Sequence, residues 1–203
     1  MGEPEPVSRL TETEYLAIER RAEFKSEFFD GEMFAMAGGT RWHSLIASNL
    51  LRAVGNRLGE RPCMAYNADL RVKVEATGLL TYPDLSVACG PQRFLDAEVD
   101  TLLNPVVIAE VLSDSTEAYD RGKKFENYRR IASLCEYLLV SQKEPRIEQF
   151  LRQESGHWLL REAVGLDATL ALPALDITIA LSEVFAKVDF SASAIRALHA
   201  HRG

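Results

Sequence analysis

Cysteine is scarce: Cys63, Cys89 and Cys135 are the only three in 203 residues, and no two form a C-x-x-C pair. A widely spaced odd set makes neither a disulfide framework nor a zinc site, so buried free thiols are expected. Long apolar runs are missing as well, none approaching the ~18 residues of a membrane span. Met1 to Arg9 is polar and acidic, with no basic segment leading into an apolar one, so no secretory signal is read. The chain is expected to be soluble and cytoplasmic, with no membrane partner. Basic excess is also lacking. Against 23 Lys and Arg stand 30 Asp and Glu, a net charge of −7, which argues against coating nucleic acid or a membrane through bulk charge.

That acidity is unevenly placed. Met1 to Glu32 holds nine acidic and four basic residues, a net of −5, so Met33 to Gly203 carries only −2. Glu117 to Arg130 holds five basic residues to three acidic ones. A metal-assisted enzyme acting on nucleic acid at one local site therefore stays open. The 47% hydrophobic content is enough to bury a core. With no internal repeat, low-complexity tract or linker, the chain divides into an acidic tail over residues 1–10 and a single domain over 11–203.

Thr11 followed by Glu14 forms a capping box opening a short helix that ends near Ala22. Phe24 to Met36 reads as a hairpin turning at Asp30-Gly31, since D-G supplies the positive φ such turns need. From Arg41 to Leu58, apolar residues recur at intervals of three and four: Trp42, Leu45, Ile46, Leu50, Ala53, Val54 and Leu58. This spacing predicts a helix with one buried stripe. Strand-like segments follow at Asp69 to Val74, Leu79 to Ala88 and Val106 to Leu112, the last apolar enough for a central strand covered on both faces. Ser115 to Ala132 has helical spacing. Glu136 to Ser141, Arg146 to Arg152, His157 to Ala163 and Leu170 to Ile179 read as strands, and a last helix is expected from about Ser191 to His201. The fold class is α/β of the α+β kind, a mixed β-sheet core flanked by helices after an N-terminal helix and hairpin.

Two carboxylates stand out. Pro83 interrupts a β-rich stretch, and Asp84 beside it is aimed by an irregular backbone. Glu110 is the one charge in the run Val106 to Leu112, and a carboxylate on a buried strand is costly unless paired or bound to a cation. The compensating group is a metal ion or a cation from the next helix. At about 100° per residue, with Ala118, Phe125, Tyr128 and Ala132 as the buried stripe, Lys124 lies at its edge on the flank of Asp120, while Lys123 points away. Two carboxylates plus a lysine suit phosphodiester hydrolysis. Oxygen ligands fit Mg²⁺, and Lys124 would hold the attacking water or neutralise charge developing on the phosphorane. Asp120 reads as structural, positioning Lys124 or capping the helix through its early position. His43, beside the stripe of its helix, and Asp69 with Arg71, on one face of an alternating strand, are supporting candidates. Ser113 and Ser115 lack a nucleophile elbow.

Six segments carry a resemblance to a known family: K-S-E-F-F-D-G-E at Lys25 to Glu32, A-G-G-T-R-W-H-S at Ala37 to Ser44, Y-P-D at Tyr82 to Asp84, A-E-V-L-S-D-S-T at Ala109 to Thr116, D-R-G-K-K-F at Asp120 to Phe125, and C-E-Y-L-L-V at Cys135 to Val140. Through them the chain resembles the Uma-two family of restriction-endonuclease-like proteins, in the PD-(D/E)xK nuclease superfamily, from about Tyr15 to Val188. The resemblance implies a restriction-endonuclease-like core, with Asp84 and Glu110 as catalytic metal ligands for Mg²⁺, which Mn²⁺ would replace. Leu112 stands where the parent pattern has its lysine, and Lys124 matches the position to which that lysine has migrated. Glu27 matches a further acidic position at the metal. DNA as substrate and a homodimer are also implied, with no organic cofactor. A catalytically silent module that binds nucleic acid or a protein is the alternative.

Overall fold

A computed structural model of the chain describes residues 9–36 and 38–191. Helix α1 (Glu12–Glu19) opens with the capping box, Glu14 N–H donating to Thr11 Oγ1 while the Glu14 carboxylate takes the Thr11 N–H. Strands β1 (Ser26–Phe29) and β2 (Glu32–Ala35) form the hairpin, whose turn has φ of 50° at Asp30 and 82° at Gly31. Arg9 and Leu10, assigned to the tail, in fact dock on this hairpin: Leu10 N–H donates to the Gly31 carbonyl and Arg9 pairs with Asp30. Helix α2 (Arg41–Leu58) follows over the expected span.

The chain then lays down β3 (Cys63–Asn67), β4 (Arg71–Val74), β5 (Leu79–Thr81), β6 (Leu85–Cys89), β7 (Thr101–Leu102) and β8 (Val107–Val111). A helical passage comprises α3 (Glu117–Tyr119), a π-helical turn at Asp120–Lys124 and α4 (Phe125–Tyr128). After it come β9 (Glu136–Val140), β10 (Arg146–Arg152), β11 (Trp158–Val164), β12 (Thr169–Leu172), β13 (Ile177–Ala180) and α5 (Leu181–Val184). The last expected helix lies outside the described residues.

Two sheets carry the architecture. One is five-stranded in the order β2-β1-β5-β4-β7, the other six-stranded in the order β11-β10-β9-β8-β6-β3; β12 and β13 pair separately. In the larger sheet β8 is antiparallel to β6 and parallel to β9, so the sheet is mixed. All five residues of β8 are buried. Its Val107, Ala109 and Val111 pack with Ile46, Leu50, Val54 and Leu58 of α2, and Ile108 faces the opposite cluster with Tyr128, Tyr137 and Leu139. Each such aliphatic contributes roughly 1.5–3 kcal/mol on burial.

Several sequence expectations change. Leu79 to Ala88 is two strands in different sheets, because Pro83 has no N–H for a ladder and the chain crosses between the sheets at Tyr82–Asp84. The strand expected from Asp69 begins at Arg71, leaving Asp69 in the preceding turn. Strands β3 and β7 were not anticipated: β3 is a half-exposed edge strand and β7 has two residues. Ala118 and Ala132 are exposed, so the helical stripe is not the one drawn from regular 100° spacing; the π turn shifts the phase and α4 ends at Tyr128. The cysteine expectation is corrected too. Cys63 and Cys89 face each other across β3 and β6 with Cα atoms 4.0 Å apart and form a disulfide, while the free Cys135 is exposed.

Candidate active site

The crossing at Tyr82–Asp84 brings acidic residues from both sheets to one place. Leu85 is registered against Ala109, so Asp84, one residue earlier, stands opposite Glu110 near the C-terminal end of β8. From the smaller sheet β1 contributes Glu27, beside Phe28, which pairs with Leu80 of β5. These residues line a cleft of about 570 Å³ together with His43, Tyr119, Asp120, Lys124 and the segment Gly38–Thr40.

Lys124 is the centre of the arrangement. Only 5% exposed, its Nζ lies 3.0 Å from Glu27 Oε1, 3.0 Å from Glu110 Oε1 and 3.6 Å from Asp120 Oδ1. The π turn puts Lys124 fully on the buried side, deeper than the edge position expected from sequence. Burial alone would push its pKa down, but Glu110, Glu27 and Asp120 outweigh burial and hold the ammonium well above its ordinary value. Glu110, 4% exposed, is pushed the other way: burial raises its pKa well above the carboxylate range, Lys124 opposes the rise, and Asp120 and Asp84 add to it. Burial likewise raises Asp120, against Lys124 and Thr116.

Other side chains fix the carboxylates. Tyr128 Oη donates to Glu110 Oε1 at 2.8 Å, and Thr81 Oγ1 donates to Glu27 Oε1. Asp84 Oδ2 accepts the Val111 N–H at 2.8 Å and lies 3.2 Å from His43 Nε2. His43 sits in the first turn of α2, where its N–H donates to the N-cap hydroxyl of Thr40; Thr40 Oγ1 in turn donates to Gln142, whose Nε2 donates to the Leu112 carbonyl. Gly39 lets this loop close over the imidazole, since a Cβ there would lie 2.8 Å from His43 Nδ1. Burial works against the His43 imidazolium, but Asp84 and Asp120 outweigh it and raise its pKa.

The structure thus brings together Asp84, Glu110, Lys124, Glu27, Asp120 and His43. It leaves Asp69 and Arg71 outside. Asp69 pairs with Lys25 in an exposed turn, and Arg71 is a buried tie joining Thr101, Tyr82 and Asp100. Their shared strand face does not exist, because Asp69 is not in the strand. Sequence reasoning missed the supporting roles of Tyr128, Thr81 and Thr40. The first was placed only as a core residue, and no local motif marks the others.

Four carboxylates thus stand around one lysine and a half-buried histidine. The donors are all hard oxygens with no thiolate among them, which suits Mg²⁺, an ion that binds one or two carboxylates and keeps several waters. Among the described residues no three acidic, His or Cys side chains form a ready cage.

The fold matches that of a solved structure from Anabaena variabilis described as a "putative nuclease belonging to DUF820", with a TM-score of 0.69 at 18% identity, over 85% of this chain and 96% of that one. The two chains share one architecture. Residues 13–182 match the family Uma2, described as "Putative restriction endonuclease". Two proteins of Synechocystis sp. are similar along their length: slr1290 is 36% identical over 185 residues, 91% of this chain and 96% of its own, and sll1609 is 36% identical over 161 residues, 79% and 91%. The chain belongs to the Uma2 family.

Proposed function

We propose that the cleft hydrolyses phosphodiester bonds of DNA as a Mg²⁺-dependent endonuclease of the PD-(D/E)xK kind. The observation that carries the reading is the set of carboxylates Asp84, Glu110 and Glu27 gathered at a sheet crossing with the buried Lys124 among them. Asp84 and Glu110 would hold the ion, with Glu27 as a third acidic group; Mn²⁺ would serve in its place. When bound, the ion would polarise a phosphoryl oxygen and lower the pKa of a water.

The chain's own groups do the positioning. His43 and the Val111 N–H both engage Asp84 through Oδ2, which fixes the carboxylate that would hold the ion. Tyr128 restrains Glu110 through Oε1 in the same way. Lys124, anchored by Asp120, orients the attacking water and neutralises charge gained by the phosphorane, so the reaction needs no covalent intermediate. A homodimer would bring two such clefts to the two strands of a duplex.

One specific observation favours a second reading. Lys124 already compensates Glu27 and Glu110, so the site is partly neutralised without an ion, as a silent binding module would require. Plasmid nicking in Mg²⁺ separates the two. Asp84→Asn keeps an acceptor for the Val111 N–H, so the fold should survive while nicking is lost. Undiminished nicking by that variant would sink the site assignment, and DNA binding by the wild type with no cleavage in Mg²⁺ or Mn²⁺ would select the silent module.

A further inference from the structure

A second basin lies at the other end of the helical passage. The end of α4 and the β10–β11 turn flank an open, shallow basin of about 410 Å³ lined by Arg129, Arg130, Arg152, Gly156 and Trp158. Three of these five residues are arginines and none is acidic. Arg152 is held in place: it donates to the Ala132 carbonyl at 3.0 Å and to the Arg129 carbonyl, and its guanidinium lies 4.8 Å from the centroid of the Trp158 ring. The Arg129 carbonyl is at the C-cap of α4, where helix acceptors are left unfilled, and that of Ala132 is in the turn that follows.

Arg129 and Arg130 are exposed, and neither has an ion pair among the described residues. Their neighbours differ. Arg121 is paired with Glu148 and Glu117, Lys123 with Glu126, and Lys143 with Asp114 and Glu117. Glu154, on the adjoining turn, pairs with none of the three arginines. In a chain of net charge −7, this is a concentration of uncompensated guanidinium, whose planar fork matches phosphate oxygens.

We infer that this basin binds a backbone phosphate of the nucleic acid, at a point separate from the cleft. That the phosphate belongs to nucleic acid rests on the nuclease reading; the anion chemistry of the basin does not. Asp84 and Glu110 stand near the C-terminal end of β8, whereas Arg152 N–H donates to Cys135, just before β9 and at the opposite end of that sheet. Glu110 is level with Leu139, four residues of strand from Cys135, about 13 Å at ~3.3 Å each. A duplex advancing about 3.4 Å per base pair would place the held phosphate roughly four base pairs from the one attacked.

The test is anisotropy of a labelled 20-base-pair duplex in EDTA, comparing the wild type with Arg129→Gln/Arg130→Gln and with Arg129→Lys/Arg130→Lys. Each phosphate contact contributes about 0.9 to the slope of log affinity against log salt. The Gln variant should lose about 0.9 from that slope, so its deficit should shrink about 3.5-fold between 50 and 200 mM salt. The Lys variant should keep the wild-type slope. Parallel slopes for wild type and the Gln variant would overturn the inference, as would a wild type that binds no duplex. If inorganic phosphate raises the melting temperature of the wild type alone while the duplex slopes stay parallel, the basin is a free-anion site and the inference again falls. A wild type that binds with the arginine-dependent slope yet never nicks DNA would refute the nuclease reading and leave the basin standing; cleavage with parallel slopes would do the reverse.

Discussion

Replacing Lys124 by methionine keeps the length of the side chain and removes its charge. Glu27, Glu110 and Asp120 then lie near one another with their common cation gone. Removing one partner of a buried pair costs about 3–5 kcal/mol, because the charge left behind is uncompensated. With an m-value of about 2 kcal/mol/M, the urea midpoint should fall by roughly 1.5–2.5 M. In a chain of this size the same loss lowers the melting temperature by about 6–20 °C. A double-mutant cycle isolates the cause. Glu27→Gln keeps an acceptor for the Thr81 hydroxyl while removing one negative charge, so Glu27→Gln/Lys124→Met should be less destabilised than the two single changes added together. The expected coupling is about 1–3 kcal/mol. Strict additivity, or a Lys124→Met protein as stable as the wild type, would refute the view that Lys124 is the shared counterion of these carboxylates.

Two further outcomes test other parts of the structure. Iodoacetamide should label one thiol per native chain, Cys135, and three after reduction in denaturant, since Cys63 and Cys89 are joined; three labels before reduction would remove the disulfide. Acid stability should depend on Asp100, whose carboxyl is held below its usual range first by Arg20 and then by Thr101 and Arg71, against its partial burial. A depressed folded pKa gives stability that is present above the unfolded value of about 3.9 and lost as pH falls through the folded one. Urea midpoints measured from pH 6 down to pH 2 should therefore drop less steeply in Arg20→Gln than in the wild type, and identical pH profiles would contradict the assignment.

The parts of the fold legible in the sequence are those with strong local signals. Helix α2 is fixed by its apolar spacing, the first hairpin by Asp30-Gly31, and β8 by an apolar run whose one charge also marks the site. Asp84 and Glu110 were readable because a proline and an isolated carboxylate are conspicuous in β-rich sequence. What could not be read depends on long-range placement. The two sheets, with Pro83 as the crossing between them, follow from pairings distant in the chain. Edge strand β3 has too little apolar alternation to announce itself, yet it supplies Cys63. Glu27 reaches Lys124 only because β1 pairs with β5, and Arg71 was misassigned because its alternation looked like a cleft wall when its guanidinium in fact ties Thr101, Tyr82 and Asp100.

A π-helical turn is an α-helix carrying one surplus residue, and here the surplus falls between Asp120 and Lys124. Removing one residue of this passage would bring the acidic residue and the lysine three apart instead of four. Both intervals set two side chains on the same helical face. The interval between these residues is therefore a poor signature for recognising such clefts in other chains: a pattern search that fixes it would discard regular-helix versions of the same arrangement, and alignments through this passage are better anchored on Phe125 and Tyr128, whose seats on the sheet do not depend on it.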